Sequence, residues 1–245
     1  MKRIVWLLVL IGLLMVSVSY AEYLSSADCM PAGKVALSLA YAGDQYNEDY
    51  VSSSFALTGS NDIGVRAAAL VAAYGLTNKI EVGLGYGTGG AMGPGLDITA
   101  GGKINLTMTN IVASVKLGIK QEAQGDPFST ALGIIAKSGT VKTTMPGALD
   151  SEKSVSSYTV GLLASKMAIP FVPYVGIGYE INSCNTVDTV YGSFDNALGL
   201  VVGTALFVRE DIATFWEISS RRFQPELSGP YTILEYACRV AWAIN

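Results

Sequence analysis

The sequence predicts an all-β fold: a single antiparallel up-and-down transmembrane β-barrel of about ten strands, with twelve as the alternative. Two patterns and an N-terminal signal predict it. The first pattern is the stretch from Ile63 to Gly87, which reads as two alternating strands joined by a tight polar turn. On its second arm Ile80, Val82, Leu84 and Tyr86 form one row, and Lys79, Glu81, Gly83, Gly85 and Gly87 form the other. Successive strand side chains point to opposite faces, so one face is greasy and the other small, with a few charges. A water-soluble sheet normally has a strongly polar second face. The second pattern is compositional. Charged residues make up only 15% and mean hydropathy is +0.39. Yet no apolar run after residue 21 is long enough for a transmembrane helix. Hydrophobicity spread over short alternating pieces points to strands that face lipid.

The start of the chain reads as an export signal. Lys2 and Arg3 are basic, Ile4 to Val18 is nearly all apolar, and Ser19-Tyr20-Ala21 offers small residues before a cut. Residues 1–21 are expected to be a cleaved secretory signal peptide, with an uncleaved anchor as the bland alternative. Residues 22–32 then form a short periplasmic lead-in and 33–245 the barrel. The formal net charge of −4 leaves no electrostatic footprint for nucleic acid.

The outward rows follow in order along the chain. Val35, Leu37, Leu39 and Tyr41 make the first, and Ile63, Val65, Ala67, Ala69 and Val71 the second. The third is the row from Ile80 to Tyr86. Ile111, Ala113, Val115, Leu117 and Ile119 come next, then Phe128, Leu132 and Ile134. Tyr158, Val160, Leu162 and Ala164 are followed by Phe171, Val175, Ile177 and Tyr179. Leu198, Leu200, Val202 and Leu206 precede Ile212, Trp216 and Ile218. Leu234, Tyr236, Cys238, Val240, Trp242 and Ile244 close the set.

The connections alternate in kind. Those at 75–78, 167–170 and 208–211 are short, whereas 43–61, 88–96, 141–153, 183–193 and 222–229 are longer and polar. Short turns at one end and long loops at the other is the asymmetry of outer-membrane barrels, with short turns on the periplasmic side. In that orientation Tyr41, Tyr86, Tyr158 and Tyr179 lie at the outer interface and Phe128, Phe171 and Trp242 at the inner one. Amphipathic rings prefer that level. Leu96 to Leu106 also alternates, and with 138–146 it would raise the strand number to twelve.

The unit Ala73-Tyr74-Gly75-Leu76-Thr77-Asn78-Lys79-Ile80-Glu81-Val82-Gly83-Leu84-Gly85-Tyr86-Gly87 resembles the strand–turn–strand repeat of small Gram-negative outer-membrane barrels, the OmpA-like and OmpW-like group. The resemblance is architectural and spans about 33–245. It implies outer-membrane lipid, periplasmic chaperones and the barrel insertion machinery as partners, with small solutes as candidates. Such proteins usually finish on an aromatic residue read by the insertion machinery. Here the last strand alternates through Trp242 and Ile244 and then ends in Asn245.

The chain contains no histidine, which removes histidine triads, dyads and most zinc sites and disfavours an enzyme. Ser165 and Lys166 are strand neighbours, point to opposite faces and cannot form a dyad. Gly85-x-Gly87-x-x-Gly90 matches a dinucleotide fingerprint by letter but lacks the helix start that holds pyrophosphate. No cofactor is implied. The three cysteines have no metal-ligand spacing, and one disulfide with a spare thiol stays open. Asp44, Asn47, Glu48 and Asp49 form an acidic loop whose spacing is only weak evidence for calcium.

The candidate functional residues are the charges opposite the greasy rows: Arg66, Lys79, Glu81, Lys116, Glu180, Glu217, Arg221, Glu235 and Arg239. Burying them unpaired would be costly, so they are expected to pair across the lumen or contact water. Two readings follow, a structural or surface-interaction scaffold filled by salt bridges and a narrow porin-like channel. The competing class is a secreted soluble β-sandwich or lipid-binding barrel, which would bury the greasy rows inward.

Overall fold

The computed structural model describes residues 26–47, 62–92, 97–98, 102–103, 105–144, 151–184, 196–223 and 231–244. The predicted signal peptide and most of the acidic loop lie outside them. Ten long strands close into an antiparallel barrel: β1 (Val35–Asn47), β2 (Asp62–Thr77), β3 (Ile80–Met92), β6 (Asn105–Lys120), β7 (Ser129–Thr144), β8 (Ser151–Ser165), β9 (Phe171–Cys184), β10 (Ala197–Arg209), β11 (Ile212–Phe223) and β12 (Tyr231–Ile244). Each lies beside its neighbour in sequence, and β12 pairs with β1 from Val35–Ile244 to Gln45–Leu234, which removes the free edges.

The extra alternation between Leu96 and Leu106 is a separate two-stranded element, β4 (Asp97–Ile98) with β5 (Gly102–Lys103), whereas 138–144 simply extends β7. The barrel therefore has ten strands. The letters Gly85-x-Gly87-x-x-Gly90 lie inside β3, so a strand rather than a helix holds the glycines. Cys29 and Cys238 carry no disulfide.

The outward rows of nine strands match the sequence pattern. Leu84, Tyr86, Ile111, Tyr158, Leu162, Val175, Leu200, Val202, Ile218 and Trp242 all point away from the barrel and are exposed. Strand β2 is the exception. Ala67, Ala69 and Val71 are buried inside, while Leu70 and Tyr74 are exposed outside. Directly opposed residues share a face, and β2 pairs Leu70 with Tyr86, Ala72 with Leu84 and Tyr74 with Val82. A register shift between Gly75 and Thr77 beside the Asn78–Lys79 turn sets this phase. Because a one-residue slip exchanges the faces of a whole strand, Arg66 moves with it to the outside.

The turns at 78–79, 121–128, 166–170 and 210–211 all lie at the barrel end where β1 begins and β12 finishes. The turn from β6 to β7 holds one 3-10 turn, Glu122–Gln124, closed by Gly125 in the left-handed conformation. That end also receives the start of the described chain.

Candidate functional site

The interior is built in two halves. On the β1, β2, β6, β7 and β8 side Ala40, Ala69, Val71, Val112, Ala131, Ile135 and Leu163 form one buried apolar cluster with Val201 packed against it, beside the buried hydroxyls of Ser38, Ser114, Ser157 and Thr159. Small residues on this wall leave room for the branched ones opposite. The charged half is centred on β9, β10, β11 and β12, with Ser157 of β8 reaching Glu180, and is arranged in two tiers.

The lower tier centres on Glu217, which is 6% exposed. Tyr174, Gly203 and Glu217 are in-register neighbours on β9, β10 and β11. The Tyr174 hydroxyl donates to a Glu217 carboxylate oxygen. One layer nearer the short turns, the Arg239 guanidinium stacks on the ring of its strand partner Phe215, 4.1 Å from the centroid. The upper tier joins Glu180, Arg221 and Glu235. Arg221 donates to Glu180 Oε2 at 3.2 Å and, through its other terminal nitrogen, to Glu235, which also accepts from Ser219 at 2.7 Å. One guanidinium thus bridges two carboxylates, a geometry that its planar fork supports.

A third polar group lines the short-turn mouth. Lys116 Nζ lies 3.1 Å from Glu81 Oε2, and the Lys116 side chain is 3% exposed. This pair receives the segment Ser26–Met30, which enters the barrel. Lys116 donates to the Ser26 carbonyl at 3.2 Å, and Glu81 Oε2 accepts from the Met30 N–H at 2.8 Å. Gln121, just past the end of β6, donates to the Ala27 carbonyl at 3.0 Å and accepts from the Cys29 N–H at 2.9 Å. Asp28 accepts from Ser129 at 2.5 Å and from Ser165 at 3.3 Å. Ala27 is fully buried and belongs to the apolar cluster. The mouth is stoppered by the chain's own N-terminal segment.

Seven of the nine candidate charges therefore face inward: Glu81, Lys116, Glu180, Glu217, Arg221, Glu235 and Arg239. Two do not. Arg66 is exposed on the outer row of β2, opposite Gly90 and near the long-loop end, for the register reason given above. There its long stem lets the guanidinium reach the headgroup level. Lys79 is exposed in the β2–β3 turn, beyond the last ladder pair, because the chain reverses before a lumen position is reached. Lys166 is exposed while Ser165 is buried, as opposite faces require.

Sequence reasoning missed the residues that grip the stopper. Gln121, Ser129 and Ser165 are small or neutral, and nothing in their spacing marks them. Gly75 is the exception that could have been found. A Cβ there would meet the carbonyl oxygens of Met30 and Pro31, so the glycine in the turn motif admits a second chain.

The barrel fold is shared with solved structures. An outer-membrane channel from Pseudomonas putida F1 superposes with a TM-score of 0.50 at 10% identity, covering 93% of this chain and 100% of that one. The translocator domain of the autotransporter NalP from Neisseria meningitidis reaches 0.53 at 11% identity, covering 88% and 89%. The β domain of the Bordetella autotransporter BrkA gives 0.53 at 8% identity, covering 86% and 99%. The fold is that of an outer-membrane β-barrel. No family model matches the chain, and no curated protein matches its sequence. The architectural resemblance in the sequence thus extends to three dimensions. The outward rows give the fold its setting, since a closed barrel with an apolar outer wall spans a bilayer.

Proposed function

We propose that this protein is an integral outer-membrane barrel with a closed lumen, a structural scaffold that presents its long loops at the cell surface. In this reading residues 1–21 are removed on export, the short turns face the periplasm, and chaperones and the insertion machinery deliver the chain. One observation carries the closed state. Ile135, Val112, Thr159 and Glu235 point into the lumen and are at most 1% exposed. A water-filled bore would wet such side chains. A cavity of about 30 Å³ beside Gly161, Gly178, Gly199 and Thr159 has room for roughly two water molecules and not for a solute.

The test is conductance in planar bilayers with protein refolded in detergent. A closed scaffold inserts without steady ion current. Stable, ohmic single-channel steps from the unmodified protein would overturn the reading. The channel reading has one specific support, the likeness to the Pseudomonas putida channel. It requires the stopper at Ser26–Met30 to leave the mouth, and current would then appear only after that segment is deleted.

A further inference from the structure

The neighbour contacts that close the barrel are not alike. Among the described residues, β1 and β2 share ladder pairs only at Tyr46–Ile63 and Asn47–Asp62, at the long-loop end. The β1–β12 ladder, by contrast, runs from Val35 to Gln45. At the short-turn end the two strands are closed again, by the Gly33 N–H donating to the Gly75 carbonyl at 2.8 Å and the Gly75 N–H donating to the Lys34 carbonyl at 3.0 Å. The closures share one register, since twelve positions separate Lys34 from Tyr46 and also Ile63 from Gly75. Between them the strands lie side by side without main-chain pairing. Ser38 Oγ donates across the gap to the Val71 carbonyl at 3.4 Å. Unpaired peptide groups in hydrocarbon are costly, so this seam is the weak line of the wall.

Two further observations give the seam a role. Its inner lips, Ala40, Ala69 and Val71, belong to the apolar half of the lumen. Its outer lips, Leu37, Leu39 and Leu70, belong to the lipid-facing surface. Its lower closure is also continuous with the stopper. Gly33 and Lys34 lie one residue beyond Met30 and Pro31, whose carbonyls rest against Gly75. Withdrawing Ser26–Met30 from the mouth pulls on the same residues that tie β1 to β2.

We propose that residues 26–34 latch a lateral seam between β1 and β2, and that undocking them parts the seam and admits a lipid acyl chain to the apolar half of the lumen. An acyl chain is the occupant because both lips are apolar apart from the Ser38 hydroxyl and the outer lip already touches hydrocarbon. The inference is independent of whether the barrel conducts ions.

Spin labels test it, in protein refolded in lipid vesicles with Cys29, Cys184 and Cys238 replaced by Ser. Labels at Leu39→Cys and Leu70→Cys sit opposite each other across the seam, and labels at Leu39→Cys and Val240→Cys report the fully paired β1–β12 side. Gly75→Val removes the space used by Met30 and Pro31. Asp28→Ala with Gln121→Ala frees the stopper while leaving β1 and β2 unaltered and serves if the first variant does not fold. The latch predicts at least a twofold fall in dipolar broadening for the seam pair, with the β1–β12 pair unchanged. It also predicts that a Val71→Trp reporter becomes quenched by brominated acyl chains only in the unlatched variants. Broadening retained at the seam, or lost equally at both pairs, overturns the latch. Quenching by aqueous acrylamide without quenching by brominated lipid overturns the acyl occupant.

Discussion

Tyr174 reaches Glu217 by lying across Gly203. The ring spans the strand between them, and a Cβ on Gly203 would fall 2.5 Å from its ring carbon Cζ and from its hydroxyl oxygen. The glycine is therefore the seat of an aromatic side chain that hydrogen-bonds a buried carboxyl one strand further on. Gly203→Ala should displace the ring and destabilise the barrel by about 1–3 kcal/mol, the usual range for overpacking. Tyr174→Phe should cost a similar amount, roughly 1–3 kcal/mol, by leaving the carboxyl short of a donor. In urea titrations of vesicle-folded protein the two changes should be clearly non-additive, because Gly203→Ala already breaks the bond that Tyr174→Phe removes. Additive losses would show that the ring does not sit where the geometry puts it.

The Lys116–Glu81 pair combines two tasks, neutralising the mouth and holding the stopper. Lys116→Met removes the cation and leaves Glu81, 12% exposed, without it, a change expected to destabilise by up to about 3 kcal/mol. Adding Glu81→Leu should recover much of that loss, since no lone charge remains. Both variants should also speed maleimide labelling of Cys29, because the contacts to Ser26 and Met30 are lost. Burial holds the Cys29 thiol above its ordinary value, the Lys116 charge opposing, so the docked thiol reacts slowly at neutral pH. Unchanged labelling would separate the ion pair from the stopper.

Lipid contact along the outer wall gives a depth-dependent prediction. Val202 is 62% exposed in the middle of β10. Val202→Arg should destabilise by about 2–4 kcal/mol, the cost of a cation facing the bilayer midplane. Arg66→Leu, at the long-loop end of β2, should change stability by less than about 1 kcal/mol, as interfacial positions do. Equal effects in lipid and in detergent micelles would contradict a bilayer origin.

Strand existence, strand number and nine of the ten registers were legible because valine, leucine and tyrosine alternate with glycine, alanine and serine over many residues. β2 was not. From Val65 to Ala73 nearly every residue is apolar, with three alanines in succession at Ala67, Ala68 and Ala69, so neither row is distinguished by side-chain type. Its phase is set by the partner strand and by the bulge beside Gly75, and neither is visible in a single strand. The stopper was hidden for a different reason. Its contacts are mostly main-chain groups of Ser26–Met30 meeting Gln121 and Glu81 across about ninety and fifty residues of chain. Main-chain recognition leaves no signature in side-chain type. Of the nine charges that alternation assigns to the lumen, seven point inward, whereas Arg66 and Lys79 do not because of the β2 phase and the early turn.

The short-turn end carries a clamp between two loops that titrates. Lys166 Nζ donates to Glu122 Oε1 at 2.5 Å, and the Met167 N–H donates to Glu122 Oε2 at 2.5 Å. The Lys166 hydrogen bond is the main cause that holds the Glu122 carboxyl below its usual value, burial opposing and the Met167 N–H assisting. A depressed folded-state value contributes stability above the unfolded carboxylate range and loses it as pH falls through the folded value. The clamp should accordingly persist at neutral and mildly acid pH and release only below the ordinary glutamate range near 4.5. Carbon-13 titration of the Glu122 carboxyl should give a midpoint below that range in the unmodified protein. In Lys166→Ala the midpoint should rise, and the 166–170 turn should lose amide protection beside it. A midpoint that ignores Lys166→Ala would leave the two turns without the link described here.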